Sequence, residues 1–292
     1  MSSTQATTRP LPFGADHRTV HANGVDLCLE TVGDPEDPTI LLIHGAATGM
    51  DGWDDEFCIR LVEGGRFVIR YDHRDTGESV SYEPGAPGYN ANDLAEDVVG
   101  LLDELDIENA HLVGVSMGGG IAQEVTVRFP ERVSSLTLMA TTPGGDDLPP
   151  PSDAFLEGVS NTAPDWSDRD AVVDHIVDSL RLYAGDNEFD TAAWRKRIDA
   201  GYDRVRNVAS SQINHFVMGH GEAVRHRLGE ISVPTLVIHG TDDPVFPIEH
   251  ALALQREIPD TRLLKLAGNA HLIQSDVWGE IIPAILENTA RT

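Results

Sequence analysis

Gly114-Val115-Ser116-Met117-Gly118 lies between an apolar run, HLVGV, and the helical stretch GGGIAQEVTVRF. Few folds accept such a junction. A strand that turns sharply into a helix holds the residue at its apex in a strained backbone conformation, and side chains two positions to either side would collide there. Glycines at 114 and 118 relieve that collision, and the turn lifts the Ser116 hydroxyl to a helix N-terminus, where backbone N–H groups and the helix dipole favour developing negative charge. A phosphate-binding reading of the same glycines fails, because the stretch is not GxGxxG and lacks the lysine of a P-loop.

The rest of the chain supplies a sheet for this turn. Thr19 to Val32 reads as two strands reversing at Asn23-Gly24. Runs at Thr39–His44, Phe67–Tyr71, His111–Val115, Ser135–Met139, Thr235–His239 and Arg262–Leu266 complete eight candidate strands. Between them Asp93–Leu105 carries Leu94, Val98, Leu101, Leu102 and Leu105 on one helical stripe, and Gly118–Arg128, Pro247–Glu257 and Asp276–Asn288 read as further helices. Short strands alternating with amphipathic helices imply an α/β fold, a mostly parallel sheet with helices on both faces. From Pro143 to Ile231 the rhythm stops: after PGGDDLPPPSD only helical periods follow, at Ala171–Leu182, Ala192–Arg206 and Val208–Met218. The division expected is a disordered tail over 1–15, a core of 16–142 with 232–292, and a helical cap over 143–231.

Composition narrows the partners. The 292 residues carry a formal net charge of −27, and of 21 basic residues only Lys196 and Lys265 are lysines. A surface this acidic repels phosphate backbones and anionic headgroups, so neither nucleic acid nor a membrane is an expected partner. The two cysteines, Cys28 and Cys58, sit in apolar contexts and read as buried thiols of a reducing compartment. With no apolar leader or membrane-length run, a cytoplasmic monomer or homodimer is expected, and with no His/Cys cluster at ligand spacing neither metal nor cofactor is.

A serine hydroxyl is a poor nucleophile without a base, and the base needs an acid to orient it. On an elbow of this kind the acid and then the histidine follow the serine in the chain. Of twelve histidines only His250 and His271 lie beyond the seventh strand. His250 falls within a helix, whereas His271 follows the last strand in a loop, LAGNAHLI, free to lie over the elbow. For the acid, HGTDDPVFP offers Asp242 and Asp243. Counting from Gly240, with Pro247 opening the next helix at its first position, favours Asp243 and leaves Asp242 as a turn residue. The oxyanion hole is expected from the backbone N–H of Met117 and of Ala46, the latter in the loop His44-Gly45-Ala46-Ala47 after the third strand. His44 is read as structural, and Asp72, Arg74 and Asp75 as a buried charge network under the site. Phe155, Trp166, Phe189, Trp194 and Phe216 are the cap's large aromatics, most of them packing the cap itself.

HGAATG, RYDHRDTGES, GVSMGGG, HGTDDPVFP and GNAH together resemble the α/β-hydrolase superfamily across essentially the whole chain. Within it, WDDEFCIRLVEGGRFVIRYDHRDTGES is similar to the anthracycline (aclacinomycin) methylesterases, whose members hydrolyse a methyl ester on a tailored polyketide. Many relatives carry glycine where this chain has Asp75. The resemblance implies Ser116, Asp243 and His271 as the triad; it does not carry the substrate, for which a methyl ester or lactone of a small, apolar or polyketide-like molecule is the expectation. A lactonase, perhydrolase or C–C bond hydrolase on the same triad, or a small-molecule receptor on the same fold, are the alternatives, because fold-level likeness does not carry the substrate.

Overall fold

Asn23 and Gly24, at φ 48° and 74°, reverse β1 (His17–Ala22) into β2 (Val25–Val32). Residues of this type tolerate the two successive left-handed positions that such a hairpin demands. In a computed structural model describing residues 16–159 and 163–291, the chain continues through β3 (Thr39–Ile43), α1 (Asp55–Glu63), β4 (Phe67–Tyr71), α2 (Ala91–Glu104), β5 (Ala110–Val115), α3 (Met117–Arg128) and β6 (Val133–Met139). After the insert come β7 (Thr235–Gly240), α8 (Glu249–Glu257), β8 (Thr261–Leu266) and α9 (Trp278–Thr289). The expected tail over 1–15 lies outside the described residues.

The eight strands form one sheet in the order β1-β2-β4-β3-β5-β6-β7-β8, with β2 antiparallel to both of its neighbours and the remaining pairs parallel. Alternation along the apolar strands divides the core in two. Leu41 and Ile43 face one helical layer with Leu112, Leu136 and Leu138, together with α2, α3 and α8. Ile40 and Leu42 face the other with Val113, Met139 and Ile238, against α1 and α9. Both faces are covered, which is why these strands read as unbroken apolar runs. Leu94, Val98, Leu101 and Leu102 of the expected stripe are buried on α2, Leu105 follows its last turn half-buried, and Asn90 starts that helix through a capping box with Asp93.

The insert between β6 and β7 holds α4 (Asp153–Gly158), α5 (Arg169–Ala184), α6 (Thr191–Gly201) and α7 (Val208–Val217). The period expected to run from 192 to 206 stops at Gly201, where a short turn of 3₁₀ helix, Tyr202–Arg204, leads to a new start capped by Asn207. Neither α1 nor α4 was legible as a helix; α4 is six residues long, and α1 carries its apolar residues, Phe57, Cys58 and Leu61, on barely two turns. Pro247 lies just ahead of α8 rather than at its first position. No helix among the described residues is long and apolar enough to cross a membrane.

Candidate active site

The strand order reverses between β3 and β5, and the crevice outside the carboxyl ends of strands at such a point is where open α/β sheets place ligands. Ser116 leaves β5 here with φ 53° and ψ −119°, a conformation costly for a residue with a Cβ. Its surroundings hold it there: Ser116 N–H donates to Met139 O at 2.9 Å, and its carbonyl accepts from Gly119 N–H at 2.9 Å and the Thr141 hydroxyl at 2.7 Å. The flanking glycines are sterically required. A Cβ at Gly114 would lie 2.3 Å from Gly118 O, and one at Gly118 would lie 2.2 Å from Ile43 O.

His271 and Asp243 meet Ser116 from the ends of β8 and β7. Ser116 Oγ lies 3.1 Å from His271 Nε2, and His271 Nδ1 lies 2.8 Å from Asp243 Oδ2. A carboxylate accepts only, so Nδ1 carries the proton and Nε2 presents its lone pair to the serine hydroxyl. The other carboxylate oxygen of Asp243 accepts the amides of Val245 and Phe246 at 2.8 and 2.9 Å. Burial works to raise the Asp243 carboxyl, yet the hydrogen bond from His271, the electrostatic pull of the His271 and His239 imidazoles and the Phe246 amide outweigh it, leaving Asp243 below the ordinary carboxylate value and ionised. Asp242, one residue earlier, is exposed and accepts the Thr241 hydroxyl at 2.8 Å. His250 is turned away, bonded to the Thr142 hydroxyl at 2.7 Å and Pro149 O at 2.9 Å.

The loop after β3 lies against the serine: a Cβ at Gly45 would be 3.3 Å from Ser116 Cβ. Met117 is the first residue of α3, so its N–H has no helical acceptor, and the Ala46 N–H makes no hydrogen bond among the described residues. His44 accepts the Gly45 N–H on Nδ1 at 2.7 Å and packs edge-on against Trp53, the loop-bracing role expected of it. Burial pushes its imidazole down to about 3.

Asp72, Arg74 and Asp75 are all buried, but they do not pair with one another. Arg74 grips Asp97 of α2 through two 2.7 Å bonds. Asp72 takes Arg204 of the insert at 2.6 Å, with the Met50 and Glu78 amides. Asp75 sits at φ 67°, the left-handed region where glycine is most at ease; its carboxylate accepts Tyr82 N–H, the Ser81 and Tyr89 hydroxyls and the Asn214 amide, which hold it there.

The insert supplies one residue that the sequence did not single out, Tyr183, and the loop after β7 supplies another, Phe246. Tyr183 of α5 lies 5.5 Å from the His271 ring, as does Phe246 from the loop after β7, and Phe155 packs behind Tyr183 at 5.2 Å. Trp194 and Phe189 stack on each other, Trp166 meets His175, and Phe216 is exposed. A helical position facing the core loops was the one signal available for Tyr183. Away from the triad, His17, Cys28 and Glu78 bring ligand-type atoms within 4.8 Å of one another, far apart in sequence; there His17 is hydrogen-bonded to Glu78 and Glu30, which raise its pKa. Cys28 and Cys58 are free and buried, and burial pushes both thiols up to about 12.

Residues 38–276 match the family described as alpha/beta hydrolase fold. The chain is 30% identical over 290 residues to the rhodomycin D methylesterase DauP of Streptomyces sp. (strain C5), covering 93% of this chain and 97% of that one. It is 31% identical over 232 residues, 76% of each chain, to a 2-hydroxy-6-oxononadienedioate/2-hydroxy-6-oxononatrienedioate hydrolase of Paraburkholderia phymatum. Among solved structures, the meta-cleavage product hydrolase CumD of Pseudomonas fluorescens IP01 superposes with a TM-score of 0.74 at 22% identity, over 94% of this chain and 97% of that one, a likeness of fold.

Proposed function

The chain belongs to the alpha/beta hydrolase fold family, and we propose that it is a carboxylic ester hydrolase working through an acyl-enzyme on Ser116. The observation that carries this is the unbroken relay from Ser116 Oγ through His271 to an ionised Asp243, set beside two free backbone N–H groups. Ser116 Oγ attacks the ester carbonyl as its proton passes to His271 Nε2, and the new oxyanion is received by the N–H groups of Ala46 and Met117. The alcohol leaves with the proton from His271. Water then attacks the acyl-enzyme by the same route, releasing the acid and restoring the Ser116 hydroxyl. Asp243 keeps the imidazole in the tautomer both halves need.

The substrate is a methyl ester or lactone of a small, apolar or polyketide-like molecule. Supporting this are the methylesterase named above, alike over nearly the whole chain, and the aromatic rings of Tyr183 and Phe246 beside His271. Residues 143–231 act as a cap on a core of 16–142 and 232–292, in a cytoplasmic monomer or homodimer. The test is a panel of methyl esters, lactones and p-nitrophenyl short-chain esters with product detection. Multiple turnovers that Ser116→Ala abolishes are expected; a single slow cycle would make the chain a receptor. The likeness to the Paraburkholderia enzyme favours one second reading, hydrolysis of a 2-hydroxy-6-oxo-dienoate, and including such a compound in the panel separates the two.

A further inference from the structure

The last helix of the insert, α7, is anchored differently from the three before it. Ser210, Ser211, Asn214 and His215 share one face and are all buried, an unusual set of residues to remove from water together. Each is matched to the core. The Ser210 hydroxyl donates to Tyr82 O at 2.5 Å, and Asn214 bridges Asp75, Glu83 O and the Gly85 N–H. His215 reaches the loop beside Ser116: its Nδ1 accepts the Ala47 N–H at 3.0 Å while its Nε2–H donates to Arg74 O at 2.9 Å. Those two partners fix a neutral ring, in keeping with burial, which holds the His215 pKa low.

The oxyanion loop is built from peptide planes, and bonded planes flank one that is free. In the His44–Gly45 peptide, the carbonyl accepts His73 Nε2–H at 3.0 Å and the N–H donates to His44 Nδ1 at 2.7 Å. In the Ala46–Ala47 peptide, the carbonyl accepts the Thr48 hydroxyl at 3.2 Å and the N–H donates to His215. The plane between them starts at Gly45, which packs against Ser116, and carries the Ala46 N–H, unbonded among the described residues. It is held because its neighbours are held. Ala47 stands at φ 60°, a strained setting for alanine, and its carbonyl is further tied by Gln212 Nε2 at 3.2 Å. Among the described residues, the groups bonded to the two flanking planes are His73, His44 and Thr48 of the core and His215 of the insert, while Ser211 and Gln212 of the insert hold the Ala47 carbonyl one plane further on.

We propose that His215 is a positioning residue for the oxyanion hole: through Ala47 it fixes the Ala46 N–H over Ser116, so the insert takes part in transition-state stabilisation without touching the reacting atoms. This rests on the reading of Ser116 as the nucleophile. Losing one oxyanion donor outright lowers kcat by about 10²–10³, and a loosened donor falls short of that.

The test compares wild type, His215→Ala, His215→Gln and Gln212→Ala. Glutamine can accept from Ala47 and donate to Arg74 as the imidazole does. Three quantities are read: the second-order rate of Ser116 labelling by a fluorophosphonate, kcat and KM for p-nitrophenyl acetate, and hydrogen exchange of the peptide spanning residues 44–48. For folded His215→Ala, labelling and kcat should fall on the order of 10- to 100-fold with KM within about threefold, and exchange in the loop should rise. His215→Gln should recover to within about fivefold of wild type, and Gln212→Ala should lose roughly threefold. Wild-type labelling and kcat in His215→Ala, a loss confined to KM, or a glutamine no better than alanine would overturn the proposal. Should His215→Ala fail to fold, an unchanged Gln212→Ala together with a His215→Gln that loses labelling does the same. A wild type that takes up the label yet cleaves no ester contradicts the ester hydrolase reading, while the labelling ratios still decide the role of His215. A wild type that takes up no label overturns both.

Discussion

The loops at the carboxyl edge of the sheet and the helices inserted between β6 and β7 meet over Ser116, yet they keep their shapes by different means. The loops rely on backbone and on exclusion: Gly114 and Gly118 cannot carry a Cβ, and Ser116 is locked by bonds to its own peptide groups. The insert relies on side chains reaching across. Arg204 enters the core to meet Asp72, α7 sets a row of polar groups against core carbonyls and amides, and Asn187 bridges Gly268 O and Ala270 N–H, just before His271. The backbone-built region is intolerant and the side-chain-built one adjustable. Chemistry should therefore fail abruptly when the first is altered, whereas the second should lose stability or rate by degrees.

The largest effect expected is at Ser116. Ser116→Ala should leave a folded protein whose kcat is lower by on the order of 10⁶, as for a triad acting as one unit. Residual turnover within a thousandfold of wild type would break the comparison, since another residue would then carry the chemistry. Asp243→Asn comes next, at roughly 10⁴ in kcat through loss of the correct imidazole tautomer, while Asp242→Asn, on an exposed side chain, should cost far less. If the two exchange ranks, the acid has been misassigned.

Arg204→Ala tests the insert. Asp72 is fully buried with Arg204 on its carboxylate, and removing one partner of a buried pair typically costs about 3–5 kcal/mol. Burial already outweighs the pull of Arg204 and the two amides, so the Asp72 carboxyl lies above its ordinary value, and losing the guanidinium raises it further. A raised carboxyl gives its stability below the unfolded pKa and loses it as pH climbs through the folded one. The deficit of the variant should therefore be larger at pH 7 than at pH 5. Urea midpoints at the two values measure this, and a deficit equal at both would mean that Asp72 stays ionised without its partner.

The same contrast decides what could be read in the sequence. Strands and elbow were legible because each rests on a short-range steric or periodic demand: an Asn-Gly reversal, an unbroken apolar run, a serine between two glycines. Even Asp75 carried a trace, as a non-glycine where relatives use glycine, though only the structure shows the four donors that stabilise it. The contribution of α7 left no such mark. Ser210, Ser211, Asn214 and His215 look like an ordinary polar stretch, and their meaning depends on which core loops pack against them, a matter of sequence separations beyond a hundred residues. Asp72, Arg74 and Asp75 were rightly expected to be buried, but their partners are non-local too: Arg204 and Asn214 lie more than a hundred residues away and Asp97 lies 23 away. Arg74 and Asp97 even join two segments of the core, so distance along the chain, and not membership of the insert, is what hides a contact.

The smallest effect concerns the histidines that brace the loop from the core. Burial pushes His44 and His73 down to about 3, and His111, which lies on β5 itself away from the loop and is bonded to Ser135 of β6, down to about 4. Unfolded imidazoles titrate near about 6.5. Above that pH these three are neutral in both states and give stability no slope. Below it the unfolded chain takes up protons that the folded chain refuses, so stability falls as pH drops, and the slope persists until the folded values near 3 to 4 are reached. Each fully developed difference is worth about a tenfold change in the folding equilibrium per pH unit. His73→Gln removes one such group, keeping a donor for His44 O where His73 Nε2 now sits and clearing the buried Nδ1, which has no partner among the described residues. Whatever its absolute stability, the variant should lose up to one proton's worth of slope between pH 6 and 4.5, about 1.4 kcal/mol per unit. Denaturant midpoints across that range give the slopes directly. Parallel lines for wild type and His73→Gln would show that the imidazole takes up its proton within the fold, and the loop would then be braced by a ring that water reaches.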